Sequence, residues 1–174
     1  MGICNAGGPA AASAFNELYN RHKDYVVRVA SRFLSDPDLA LDALQETFGY
    51  LLRRFPPTGD GLTLTAQLRT LLYSVAKNSA ITEQRKAARY HNPDGLDPDE
   101  LAAAIPPETG DIAKALAVLP IDRREVVLLR FVDDMSLAEI ALALDIPLGT
   151  VKSRLHLATR QLRDSPEAKE ILEP

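Results

Sequence analysis

The sequence predicts an all-α chain of two small helical domains, a three-helix N-terminal bundle and a C-terminal four-helix domain containing a helix-turn-helix, joined by an acidic flexible linker. Three observations lead there. Aromatic residues are only 6% of the 174 and Trp is absent, while Ala and Leu abound and clustered strand formers are scarce. Apolar side chains recur at helical spacing along most of the chain. Between Asn92 and Asp111 that pattern stops: Asp94, Asp97, Asp99, Glu100, Glu108 and Asp111 occur with no Lys or Arg, among four prolines. No fixed-period repeat appears, which argues against a solenoid.

Residues 1–12 are small and Gly-rich, with little to bury, and read as a disordered lead-in. The first domain is expected over 13–91. Its first helix runs from Ser13, a candidate cap, to Leu34, with Phe15, Leu18, Tyr19, Val26, Val29, Ala30 and Phe33 inward and a break near His22. Asp36-Pro37 is a stop and a restart, Asp as N-cap and Pro in the first turn, before a helix to about Arg54. Leu44, Phe48, Leu51, Leu52 and Phe55 form its expected buried stripe. After the loop PPTGDG, a third helix spans about Leu64 to Arg89, with Leu64, Leu68, Leu71, Leu72, Val75 and Ser79 inward.

The linker is expected over 92–110, with at most one short helix near Asp99–Ala104. The second domain, 111–165, holds helices at Ile112–Val118, Asp122–Val132, Ser136–Leu144 and Gly149–Asp164, and 166–174 is a tail. Very short turns join these four helices.

Composition narrows the function. Twenty Lys and Arg against 24 Asp and Glu give a net charge of -4, so a uniformly basic nucleic-acid coat is excluded and local patches matter more than the total. A single cysteine, Cys4, permits no internal disulfide and suits a reducing compartment. No apolar run approaches the about 18 residues of a membrane span, and the start lacks the basic and apolar regions of a signal peptide. A cytoplasmic protein with no membrane insertion is expected. His22, His91 and His156 are too scattered for a metal site, and no nucleophile, base and oxyanion donor come together. The chain reads as a non-enzyme without cofactor or metal.

The strongest local signal is SLAEIALALDIPLGTVKSRLHLATRQLR. Leu137, Ile140, Ala141 and Leu144 form the inner face of one helix, and the small Ala141 admits a close neighbour. The turn Asp145-Ile146-Pro147 follows, with Ile146 available to plug the angle. In the next helix Val151, Leu155, Ala158 and Leu162 face inward, while Lys152, His156, Arg160 and Arg163 share the opposite face. This is a helix-turn-helix with a basic recognition helix. From Leu148 to Arg163 there are Lys152, Arg154, Arg160 and Arg163 and no acid, a local reversal of sign in an acidic chain. Duplex DNA attracts such a stripe through counterion release. Lys152, Ser153, Arg154 and His156 lie near enough to the helix start to read base edges, and the Gly149-Thr150 amides suit a phosphate.

A second basic face lies on the third helix, where Asn78, Thr82, Arg85 and Arg89 follow i, i+4, i+7, i+11 with Lys77 and Lys86 beside them. Such a face fits single-stranded or distorted nucleic acid, and equally a solvated helix. The helix after Pro37 carries Asp42, Glu46, Gly49 and Arg53 outward with Gln45 adjoining, a protein-contact surface or plain solvation rather than a catalytic pair.

The phrases LYNRH, DALQETF, VAKNSAITEQRKAAR, ALAVLPIDRREVVLLRF and EIALALDIPLGTVKSRLH, in that order, resemble the extracytoplasmic-function type of bacterial RNA polymerase sigma factor from Phe15 to Arg163. The resemblance implies core RNA polymerase and promoter DNA as partners. It matches Asp42, Gln45 and Glu46 to a surface that docks on the polymerase clamp, and Lys77, Asn78 and Arg85 to the helix that engages the minus-ten element. It matches Thr150, Lys152, Ser153, Arg154 and His156 to the helix that enters the major groove of the minus-thirty-five element; Arg160 extends that row. It also implies an anti-sigma partner covering the docking or DNA faces, with catalysis and magnesium left to the polymerase.

The chain departs from the common pattern at several charged positions. Leu41 stands where an acid is usual, Leu71 replaces a frequent Trp, Ser74 a frequent Arg and Thr82 a frequent Asp, and Leu157 and Thr159 replace two basic residues. Each lost phosphate contact lowers the salt slope of binding by about one unit. Two other readings stay open on sequence: a helix-turn-helix transcriptional regulator not associated with polymerase, and a sigma-like interaction protein that has lost promoter opening.

Overall fold

A computed structural model of the chain describes residues 9–55, 67–91 and 110–166. Among the described residues every regular element is helical and no strand occurs. The chain divides into two compact units, Met1–Leu101 and Ala102–Pro174.

The first unit holds α1 (Pro9–Ala30), α2 (Pro37–Arg54) and α3 (Leu68–His91), each packed against the other two. Helix α1 begins at Pro9, four residues before the expected cap at Ser13, so the end of the expected lead-in belongs to the helix. It passes His22 without a break and closes through Ser31, Arg32, Phe33 and Leu34 amides bonded back to Val27, Val29 and Ala30 carbonyls. The Asp36-Pro37 restart forms as the sequence demands. The Asp36 carboxylate accepts from the Asp38 amide at 2.9 Å, and Pro37 occupies the first turn, where its missing N–H costs nothing.

Helix α2 buries Ala40, Ala43, Leu44, Thr47, Phe48 and Leu51. The Thr47 hydroxyl donates to the Ala43 carbonyl at 2.7 Å, which removes the penalty of burying it. Phe48 meets Phe15 and Tyr19 of α1 edge-on, at centroid distances of 6.0 and 4.8 Å. Leu52, expected inside, is exposed, and Phe55 is half-buried.

The buried face of α3 also differs from the expected one. Leu72, Tyr73, Ala76 and Ala80 are fully buried, whereas Leu68, Leu71, Val75 and Ser79 are only partly so. The helix is wedged between α1 and α2, and Ala76 and Ala80 let backbones approach where larger side chains would hold them apart. Leu71, Val75 and Ser79 instead line a groove against α2. Leu64 and the expected linker fall outside the described residues, except that Gly110 and Asp111 open the next helix.

The second unit holds α4 (Gly110–Ala117), α5 (Ile121–Val127), α6 (Leu137–Leu144) and α7 (Leu148–Asp164). Leu116, Leu119, Val127, Leu128 and Ala158 form one cluster of its core, with Val118, Leu155 and Leu162 packed around them, and Val126, Leu129, Ile140 and Val151 are fully buried as well. Arg124 braces this corner: its guanidinium donates to the Leu116, Ala117 and Leu119 carbonyls at 3.0, 3.2 and 2.9 Å, satisfying the otherwise orphaned end of α4. From Leu128 to Val132 the chain continues as one π-helical turn, so the helix expected over 122–132 is regular only in its first part. The wider turn lets the Asp133 amide bond the Leu128 carbonyl, and Asp134 then takes a left-handed φ of 52°.

Candidate nucleic-acid interface

The helix-turn-helix consists of α6, Asp145-Ile146-Pro147 and α7. Ser136 starts it with a reciprocal cap, its hydroxyl accepting from the Glu139 amide while the Glu139 carboxylate accepts from the Ser136 amide at 2.8 Å. Asp145 ends α6 at φ 52°, and the Ile146 amide reaches back to the Ala141 carbonyl at 3.1 Å. The chain thus turns sharply enough for α6 and α7 to pack together, with Ile146 half-buried in the angle.

Val151 and Ala158 of α7 are fully buried, and Leu155 and Leu162 complete the inward face. Lys152, His156, Arg160 and Arg163 are all exposed, as expected from their spacing, and Ser153 is exposed with them. Thr150 sits half-buried at the start, and its amide donates to the Pro147 carbonyl, so it is not among the amides left for a ligand. No side chain caps this end of α7. The Thr159 hydroxyl is returned to its own helix, donating to the Leu155 and His156 carbonyls.

Arg154 is half-buried. At 3.6 residues per turn it lies about 160° around α7 from both Lys152 and His156. Its side chain turns toward α5, where Nε lies 3.2 Å from the Asp122 carboxylate. Two turns further on the same flank, the Gln161 amide oxygen accepts from Arg123 at 3.0 Å and its nitrogen donates to the Val118 carbonyl at 2.7 Å. Asp122, Arg123, Arg124 and Gln161 were not singled out from sequence. The run IDRRE right after Leu119-Pro120 was the available signal, because side chains at the start of a short helix point back over the turn before it.

In the first unit, Asn78, Thr82, Arg85 and Arg89 are exposed along α3. The Thr82 hydroxyl donates to the Asn78 carbonyl at 2.8 Å. Lys77 is half-buried, its ammonium 5.8 Å from the Phe33 ring centroid. Lys86 pairs with the mostly buried Glu83 at 2.7 Å. The Glu83 hydrogen bond and charge hold the Lys86 ammonium above its ordinary range against an opposing desolvation, with smaller contributions from Glu46 and Asp42.

Asp42, Gln45 and Glu46 are exposed on α2, and Glu46 pairs with Arg53 at 3.2 Å. Sequence separated this acidic face from the basic face of α3. The structure joins them along a groove of about 400 Å³ whose lining includes Glu46, Tyr50, Arg53, Asn78, Thr82 and Lys86. Leu41 is exposed beside the acidic set. Among the described residues, no group of three or more His, Cys, Asp or Glu could hold a metal ion, and no helix is long and apolar enough to cross a membrane.

Comparison with known proteins bears on both units. The model described as Sigma-70 region 2 matches residues 18–90, and that described as Sigma-70, region 4 matches residues 109–162. The chain is 37% identical to the ECF RNA polymerase sigma factor SigL of Mycobacterium tuberculosis, over 92% of this chain and 94% of that one. It is 29% identical to the ECF RNA polymerase sigma factor SigW of Bacillus subtilis, over 86% and 87%. Among solved structures, the sigma factor RpoE of Bartonella quintana, in complex with the anti-sigma factor NepR, aligns with a TM-score of 0.62 at 20% identity, over 86% and 94%. CnrH, in complex with the cytosolic domain of CnrY, aligns at 0.56 and 25% identity, over 88% and 87%.

Proposed function

The chain belongs to the extracytoplasmic-function family of RNA polymerase sigma factors, non-enzymatic subunits that direct core polymerase to promoters, and on that premise we propose which of its surfaces does what. The exposed side chains Lys152, Ser153, His156 and Arg160 enter the major groove of the upstream promoter element, with the half-buried Thr150 at the helix start on the Arg154 side of α7. The α3 face of Lys77, Asn78, Thr82, Arg85 and Arg89 holds the downstream element as the duplex opens. Asp42, Gln45 and Glu46 dock on the polymerase. The expected segment 92–110 would link the two contacts, so that making one raises the effective concentration of the other.

One observation carries this reading: α7 presents Lys152, Arg160 and Arg163 exposed over a buried apolar back, with no acidic residue from Leu148 to Arg163. Unopposed cations on a helix in a helix-turn-helix favour duplex DNA. RpoE is in complex with the anti-sigma factor NepR and CnrH with the cytosolic domain of CnrY, and we extend that to an anti-sigma partner for this chain that covers the α2 or α7 surface. Sigma factors act in the cytoplasm, and a single cysteine supports that location.

The test is reconstitution of the full chain with core polymerase, followed by selection of bound duplexes from a randomised pool. The expected result is a two-part motif recovered only with the holoenzyme. DNA binding by the free chain with no polymerase association would overturn the reading.

A further inference from the structure

The geometry points to Asp122 and Arg154 as a positioning pair, an ionic strut between α5 and α7 that fixes how the exposed row of α7 meets the groove. It rests on the reading of α7 as the groove-entering helix. Arg154 would then not read a base itself.

Three observations lead there. Arg154 lies on the opposite flank of the buried face of α7 from Lys152, and its side chain turns to Asp122 on α5. Its guanidinium is already engaged, Nε at 3.2 Å from the Asp122 carboxylate, and only 28% of the side chain is exposed. Asp122 is itself braced from below. Its neighbour Arg124 grips the end of α4, and Arg123 holds Gln161 two turns along α7. Two polar links on one flank, at Arg154 and Gln161, resist both rotation and sliding of α7 on α5. An arginine suits the first link because its guanidinium stays charged and is weakly hydrated, so a partly buried ion pair costs it little.

Geometry at a reading helix is converted into discrimination, because a base-edge contact depends on placement to a fraction of an ångström, whereas a phosphate contact tolerates drift. Loosening the strut should therefore reduce sequence preference more than it reduces binding to arbitrary duplex.

The test uses the full chain with core polymerase, a duplex selected by the unmodified holoenzyme, and a scrambled duplex, at several salt concentrations. Asp122→Asn and Arg154→Gln should each lower the ratio of specific to non-specific affinity about fivefold, and the double substitution no further, because both remove one interaction. The salt slope should stay unchanged, since no phosphate contact is lost. Arg154→Lys, which keeps a cation near Asp122, should retain most of the discrimination. If Arg154→Gln relaxes preference at a single base pair or lowers the slope by about one unit while Asp122→Asn does neither, Arg154 touches DNA and the strut is wrong. A lowered melting temperature with intact discrimination would also overturn it. Failure of the unmodified holoenzyme to select any duplex would instead sink the underlying reading of α7.

Discussion

Two helices carry the basic residues that drew attention in the sequence, and the structure treats them differently. On α7 the cations Lys152, Arg160 and Arg163 stand exposed over an apolar back. On α3, Lys86 is bound to Glu83, Lys77 lies over Phe33, and Glu46 and Asp42 reach Lys86 from α2. The lesson is that a count of charges along one helix measures its field only where neighbouring helices add none. For α7 the exposed Lys152, Arg160 and Arg163 outnumber the one exposed acid of the helix, Asp164 at its end, and support long-range attraction to DNA. For α3 the compensated Lys86 adds little field, and the exposed Arg85 and Arg89 support short-range holding of a strand once it has arrived.

The largest expected effect concerns the frame that keeps α7 presentable. Arg124 donates to three carbonyls at the α4 end, and burial pushes its guanidinium below its ordinary range. Arg124→Met keeps the aliphatic stem and leaves those carbonyls without the donor. Charge-assisted hydrogen bonds contribute about 1.5–3 kcal/mol each when intact, so about 2–4 kcal/mol of stability should be lost from the second unit. Hydrogen exchange should show faster opening of residues in α4, α5 and α7 with α2 and α3 unchanged. Equal loss in both units would break the idea that each has its own cohesive core.

The contrast between the helices can be broken directly. Lys152→Ala with Arg160→Ala should lower the slope of log affinity against log salt by about two units, since each unopposed cation releases about 0.9 counterion. Lys86→Ala should lower it by well under one unit, because Glu83 already neutralises that ammonium. Affinity of the holoenzyme for its selected duplex across a salt series is the measurement. A Lys86 effect equal to that of Lys152 would mean that the Glu83 pair opens on binding and that the free structure understates the α3 field.

A smaller effect tests the turn. Asp145 holds φ at 52°, where a side chain is strained and glycine is not. Asp145→Gly should raise the stability of the second unit by about 0.5–1 kcal/mol, read from thermal unfolding, without changing DNA selection. A loss of stability would show that the Asp145 side chain supports the turn in a way that outweighs its backbone strain.

These cases also mark what the sequence made legible. The Asp36-Pro37 restart and the inward and outward faces of α7 were readable because each rests on residues close together on one element. The α3 face was misjudged because Leu periodicity ignores the small Ala76 and Ala80, whose value lies in the two helices they admit. The π-helical turn at Leu128–Val132 left no mark in a run of apolar residues that suits any helix. Arg154 was placed with the groove-facing side chains by its charge and its nearness to the helix start. The ion pair with Asp122 rests on the partner helix and has no signal within α7. Pairings between elements distant in sequence, such as Arg123 with Gln161, have no local period to betray them.

The smallest expected effect belongs to the first unit and separates it from the second by pH. His22 on α1 is partly desolvated and lies near Arg21 and Arg69; burial first, then those two charges, hold its imidazole below its ordinary value of 6.5. The unfolded chain therefore binds a proton at His22 before the folded one does. Stability contributed by the neutral imidazole is fully present above about pH 6.5 and is lost as pH falls from there through the lowered folded value. Acidification from pH 7 to 5.5 should cost the first unit a fraction of a kcal/mol, and His22→Gln should remove that part of the dependence. The half-exposed setting keeps the effect small, because solvent screens the arginine charges. The readout is hydrogen exchange of α1 and α2 amides at the two pH values, corrected for intrinsic rates. An α1 that opens no more readily at pH 5.5, or a His22→Gln chain with the same pH dependence as the parent, would place the acid sensitivity elsewhere.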